Sequence, residues 1–274
     1  KLVAGSGDDE TAANGYYSVF SNEHSILAPG IEQDINYAQT VDGKQIVYYV
    51  ATVDVNRDDV MLKVNYKDND PSAGWGMQTV ADQVAAMVKN NKDKYEYFNP
   101  VVATNGDGYN IYNGTPGGLL IMDGVEYHPV DKDGFFAILD DGSAVIGTQA
   151  EYAQYKDRME EAIGGFGAVL VKDGKINVTK NANYTASRAS RTAIGITAEG
   201  KVVMMVLDGR QEPWSAGGDY GDLAQIMLEA GCVNAINLDG GGSTTFVARQ
   251  PGSDNLSVMN RPSDGYPRNV STNL

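Results

Sequence analysis

Thr192-Ala193-Ile194-Gly195-Ile196-Thr197-Ala198-Glu199-Gly200-Lys201-Val202-Val203-Met204-Met205-Val206-Leu207 is the stretch on which the fold turns. Two apolar runs, 192–197 and 202–207, flank the polar turn Ala198-Glu199-Gly200-Lys201 and read as a hairpin. Downstream, a helix is expected over Asp222 to Ala230, ended by Gly231. The strand Cys232–Ile236 and the strand Phe246–Ala248 then bracket a glycine-rich loop. Upstream, strands are expected at Tyr16–Phe20, Ile46–Val53 and Val60–Val64, with Asn56–Asp59 turning the second into the third. The spacing of Val80, Val84, Met87 and Val88 predicts a helix over Gln78–Asn90, with Thr79 as N-cap and Asp82 three residues on. Val101–Thr104, Phe135–Leu139, Ala144–Gly147 and Gly167–Val171 read as further strands, and 150–162 as a second helix. Strands and helices do not alternate as in a doubly wound sheet. The expectation is an α+β fold: mixed, mostly antiparallel sheets with a few flanking helices in a single domain, residues 15–274. Residues 1–14 are polar and acidic and are expected to be a mobile lead-in.

The composition narrows the function. The 274 residues carry 36 acids against 21 Lys and Arg, a net charge of −15, which argues against nucleic acid as a partner. An anionic substrate would need a local basic cluster against that field. Cys232 is the one cysteine and lies in an apolar run, so no internal disulfide forms. His24 and His128 are the two histidines, which disfavours histidine-based catalysis and multi-histidine metal sites. Asp54–Asp59 and Asp68–Asp70 lack EF-hand spacing. Neither a metal nor a cofactor is expected. No apolar run reaches the 18 residues of a transmembrane helix.

The chemistry concentrates in Asn237-Leu238-Asp239-Gly240-Gly241-Gly242-Ser243-Thr244-Thr245, a carboxylate followed by three glycines and three hydroxyls. Glycines admit close backbone approach, and successive N–H groups in such a turn can hold an anion. Three other segments stand out. They are Asn105-Gly106-Asp107-Gly108, Ser187 to Gly195 with its basic pair Arg188 and Arg191, and Leu207-Asp208-Gly209-Arg210. Asn260-Arg261-Pro262 and Pro267-Arg268-Asn269-Val270 follow near the C-terminus.

Ser190-Arg191-Thr192-Ala193-Ile194-Gly195, Asp208-Gly209-Arg210 and Asn237 to Ser243, in that order and spacing, resemble the phosphodiester glycosidase family. The resemblance runs from about Asn105 to Val270. It implies an enzyme, a hydrolase that removes a sugar, N-acetylglucosamine-like, from a sugar–phosphate diester and leaves a phosphomonoester. It also implies an extracytoplasmic setting, whether secreted, periplasmic or lipid-anchored. The oligomeric state is left open.

A phosphomonoester leaves readily, so one carboxylate with cationic and N–H donors can suffice where ordinary glycosidases use two acids. Asp239 is assigned as general base or nucleophile, and Arg191 and Arg268 as the phosphate clamp. Gly240, Gly241, Gly242 and Ser243 are assigned to cradle phosphate or sugar oxygens. Asn105 and Asp208 are assigned to orient the sugar or support the arginines, and Gly106 and Thr192 to bind substrate. Such a site is expected in a surface cleft. Plainer readings stand beside these: Asp-Gly pairs make turns, and arginines pair with surface acids. A phosphodiesterase cutting the P–O bond and a non-catalytic glycan-binding module are the alternatives.

Overall fold

The computed structural model describes residues 17–94, 98–178, 187–250, 252–253 and 255–274. The lead-in expected over 1–14 lies outside them, as does Tyr16 of the first expected strand.

An eight-stranded sheet dominates. Its order is Tyr17–Ala28, Ile31–Thr40, Gln45–Val53, Val202–Leu207, Arg191–Thr197, Cys232–Asn237, Val169–Lys172 and Lys175–Ile176. Every neighbouring pair in it is antiparallel. The hairpin at its centre has the expected turn, with Arg191 opposite Leu207 and Ile196 opposite Val202.

Both central strands are buried on both faces, which is why they read as unbroken apolar runs. Side chains alternate between the faces. Ile194, Ile196, Val202, Met204 and Val206 share a core with Leu120, Phe136 and Ile163 of a second sheet. Ala193, Val203, Met205 and Leu207 face the helix Tyr220–Glu229 through Leu223, Ile226 and Met227. Burying each such Val, Ile, Leu or Met contributes roughly 1.5–3 kcal/mol. The helix begins with a capping box, Asp219 accepting from Asp222 N and Asp222 from Asp219 N.

The second sheet has five strands, ordered Val125–His128, Leu120–Met122, Met159–Gly164, Phe135–Leu139 and Ala144–Gly147. Two small sheets close the molecule. One joins Leu256–Val258, Phe246–Arg249 and Val102–Thr104; the other joins Thr272–Asn273 to Asn65–Tyr66. The helix Val80–Asn91 starts at Thr79, whose hydroxyl accepts from Asp82 N at 3.1 Å.

Three expectations change. Residues 150–162 are not one helix: a single turn, Tyr152–Tyr155, precedes the strand Met159–Gly164. That strand is the middle of the second sheet, and sheet pairing outweighs weak helix propensity there. Val60–Val64 forms no ladder. Ile31–Thr40, which its polar residues hid, pairs with both of its neighbours.

Strand register builds one end of the large sheet. Arg191 lies opposite Leu207 and Ala193 opposite Asn237. Ser190, Asp208 and Asp239 therefore leave three adjacent strands at the same end. Phe246 opposite Thr104 brings Asn105 to that end too.

Candidate active site

Asp239 heads the glycine loop. Its main-chain N–H donates to Gly106 O at 3.0 Å, and its carbonyl accepts from Asn105 Nδ2 at 2.8 Å. Asn105 is fully buried, and its Oδ1 accepts from Thr192 Oγ1 at 2.8 Å and Thr245 N at 3.0 Å. One asparagine thus ties together the loop start, the loop end and a central strand. Thr192 O accepts Leu238 N–H at 2.9 Å, adding a second tie. Gly106 must be glycine for space, since a Cβ there would run into Ile163 Cδ1 and Thr272 Oγ1.

Asp239 Oδ1 accepts the Gly240 N–H at 2.9 Å. Burial pushes the Asp239 carboxyl up to about 6, while Ser243, the Gly240 N–H and Arg268 pull it down. It is therefore mostly ionised at neutral pH. The Gly241 N–H donates to Ser190 O at 2.8 Å. Two of the three amides expected to cradle an anion are thus engaged within the protein. Gly241 adopts φ +63°, which opens the short turn Gly241–Ser243.

Cations surround this loop. Arg268 donates to Ser243 Oγ at 3.4 Å and is held by Asp264 at 2.6 Å. Arg191 packs its Cα and Cδ behind Gly240. Its Nε donates to Gly218 O at 3.2 Å and its Nη2 to Ser187 O at 2.7 Å, with its guanidinium 4.6 Å from the Tyr220 ring centroid. Burial lowers its proton affinity. Arg191 is thus set into the floor, while Arg268 lies at the rim.

Asp208 is fully buried and accepts from Trp214 Nε1, Asn260 Nδ2 and the Arg261 main-chain N–H. Its oxygens face protein donors, so it acts on its surroundings as a brace.

Three further residues emerge from the geometry. Arg210 follows Asp208-Gly209 with φ +60°, and its Nη1 lies 3.3 Å from where a Gly241 Cβ would stand. It is exposed, and no acceptor pairs with its guanidinium among the described residues. Tyr109 donates its hydroxyl to Asn269 O at 2.9 Å and lies within electrostatic reach of Asp239 and Arg268. Asp107 is 2% exposed. Its Oδ1 accepts from Thr272 Oγ1 and its Oδ2 from Gly118 N, each at 2.8 Å. Burial pushes it up to about 8, and Asp239 and Asp131 add to the rise. The Asn105-Gly106-Asp107-Gly108 motif points to Asp107, but only burial makes it a neutral acid.

An apolar cavity of about 280 Å³, lined by residues including Pro29, Met61 and Met87, lies apart from these residues. Among the described residues, no group of three or more His, Cys, Asp or Glu could hold a metal ion. No helix among them is long and apolar enough to cross a membrane.

Relatives share this architecture. The chain is 28% identical over 299 residues to the SPbeta prophage-derived uncharacterized protein YomE of Bacillus subtilis, covering all of this chain and 44% of that protein. It is 28% identical over 198 residues to the human N-acetylglucosamine-1-phosphodiester alpha-N-acetylglucosaminidase, covering 62% of this chain and 36% of that protein. The chain thus spans less than half the length of these curated relatives. The catalytic domain of the zebrafish enzyme of the same name superposes with a TM-score of 0.66 at 22% identity, over 92% of this chain and 86% of that one. A hypothetical protein from Synechocystis gives 0.69 at 16% identity, over 92% and 63%. At those identities the two structures speak to fold alone. The family model described as phosphodiester glycosidase matches residues 98–274. With well over half of its length matched, the chain belongs to the phosphodiester glycosidase family.

Proposed function

We propose that the protein hydrolyses a sugar 1-phosphodiester at the carbon–oxygen bond. The supporting observation is local charge: in a chain of net charge −15, Arg191, Arg210 and Arg268 all pack against the Asp239–Ser243 loop. Asp239 acts either as general base, taking a proton from the attacking water, or as nucleophile, forming a glycosyl ester as the C–O bond to phosphate breaks, which water then cleaves with return of the carboxylate and loss of a proton to solvent. The water oxygen bonds to the anomeric carbon, and the electron pair of the broken C–O bond stays on the phosphate oxygen. Arg268 and Arg210 offset the growing negative charge there. Arg191 fixes the loop and the local field from below. An N-acetylglucosamine-like sugar is proposed from the activity that the human relative's name carries. We take the chain from residue 15 as one catalytic domain working outside the cytoplasm.

Turnover in ¹⁸O-labelled water tests the bond. Label in the released sugar supports C–O cleavage; label in phosphate assigns P–O cleavage instead. Asp239→Asn is expected to lower turnover on the order of 10²–10³-fold with unchanged circular dichroism. Near-normal turnover would remove Asp239 from the mechanism. Saturable glycan binding without turnover, indifferent to Asp239→Asn, would leave a binding module.

A further inference from the structure

Beside the Asp239 loop, one buried carboxylate organises a stack of the exposed Arg261 on the half-buried Trp214. Asp208 Oδ2 accepts from Trp214 Nε1 at 2.9 Å, and the Arg261 main-chain N–H reaches Oδ1 at 3.1 Å and Oδ2 at 3.0 Å. Asn260, next in line, donates to Asp208 Oδ1 at 3.0 Å and Thr244 O at 3.2 Å, and accepts from Phe246 N at 2.8 Å. The stack is therefore bolted to the exit of the glycine loop. Arg261 Cζ lies 3.7 Å from the Trp214 ring centroid, and Tyr37 stands edge-on to that ring at 6.0 Å. Gln211 Nε2 holds the Arg261 carbonyl at 2.9 Å.

The guanidinium itself is exposed and forms no salt bridge among the described residues, with the buried Asp208 carboxyl within electrostatic reach. Arg57, Arg158, Arg188 and Arg268, by contrast, each pair with an aspartate. A guanidinium laid flat on an indole has its N–H edge preset for an oxyanion. Arg210 is two residues from Asp208, so their Cα atoms are at most about 7.6 Å apart. Two guanidiniums without salt bridges thus flank one buried brace, Arg210 over Gly241 and Arg261 on Trp214. A single phosphodiester carries one negative charge, which Arg210 alone can match, Arg268 being already paired with Asp264.

We propose that the Trp214–Arg261 stack is a second anion subsite, taking the next phosphate along a substrate with repeating sugar-phosphodiester links. The preferred substrate is then a polyanionic phosphodiester-linked glycan. This rests on the reading of the Asp239 loop as the hydrolytic centre.

The test compares kcat/KM on a single sugar 1-phosphodiester with that on an oligomer carrying three such links. Wild type is expected to prefer the oligomer. Arg261→Gln, which keeps the main-chain N–H on Asp208, is expected to cut that preference about tenfold through KM, the size of one lost charged contact. Trp214→Phe, which keeps an aromatic face, is expected to cut it less. A preference unchanged in Arg261→Gln, or absent in wild type that turns over the single diester, overturns the subsite. If neither substrate is hydrolysed, the reading of the reaction fails, and calorimetric binding of the oligomer decides. About tenfold weaker binding by Arg261→Gln, with a salt dependence shallower than wild type, supports the subsite; equal binding overturns it.

Discussion

Arg210 holds a left-handed backbone at φ +60°, which costs a non-glycine residue about 1 kcal/mol or more. Arg210→Gly relieves that strain while removing the guanidinium over Gly241. Turnover on a sugar diester is expected to fall on the order of 10²-fold while the thermal midpoint does not drop. A fall in both would make Arg210 structural. Asp107 carries a second prediction. Its folded proton affinity, about 8, lies far above that of an unfolded aspartate, about 3.9. The folded state binds the extra proton between those values, so stability is fully present below about pH 4 and is lost as pH rises through 8. Asp107→Asn keeps an amide oxygen to accept from Gly118 N and turns its NH2 toward Thr272 Oγ1, reversing the bond that Asp107 Oδ1 accepts there, as a neutral acid protonated on that oxygen would. Urea unfolding is expected to show the variant gaining on wild type from pH 5 to pH 8, by on the order of 1–3 kcal/mol. A constant difference would refute the assignment. Asp239, raised only to about 6, is ionised across neutral pH, so kcat/KM should decline as pH falls below 6. The position of Asp239 at the head of the loop was legible from the three glycines that follow it. The neutrality of Asp107 was not, because it depends on Thr272, distant in sequence, and on packing.

The element scale turns on close approaches. Gly106 is where the Asn105 loop meets the Asp239 strand end and Thr272, accepting Asp239 N–H and donating to Thr272 O at 2.9 Å. A methyl group there has to push Ile163 and the Thr272 backbone apart. Gly106→Ala is expected to cost about 1–3 kcal/mol in chemical denaturation and to lower turnover more than stability alone explains. An unperturbed variant would show the junction to be loose. The central hairpin was legible because both strands are contiguous, wholly apolar and joined by a polar turn. The strand Met159–Gly164 was not, because its short run between Arg158 and Gly165 has no pattern stronger than the helix it imitates. Its identity comes from Phe135–Leu139 on one side and Leu120–Met122 on the other.

At the scale of the molecule, the family match begins at residue 98, yet the large sheet does not. Gln45–Val53 pairs along the whole of Val202–Leu207, and Val47, Tyr49, Ala51, Leu62, Val64 and Tyr66 belong to the main core. A chain starting at residue 98 would expose that edge and take eight of the 23 buried residues from that core, and is expected to be insoluble or unfolded by circular dichroism. A cooperatively folded 98–274 fragment would show two units instead of one. Local order along the chain determined the antiparallel class, the central hairpin and the glycine loop, because these depend on neighbours a few residues apart. Only tertiary structure decided which arginines flank the loop, that Asp208 braces a tryptophan and an arginine, and that burial pushes the Asp107 carboxyl up. Those outcomes come from strand register and burial, which join residues far apart in sequence and set their charge by excluding water.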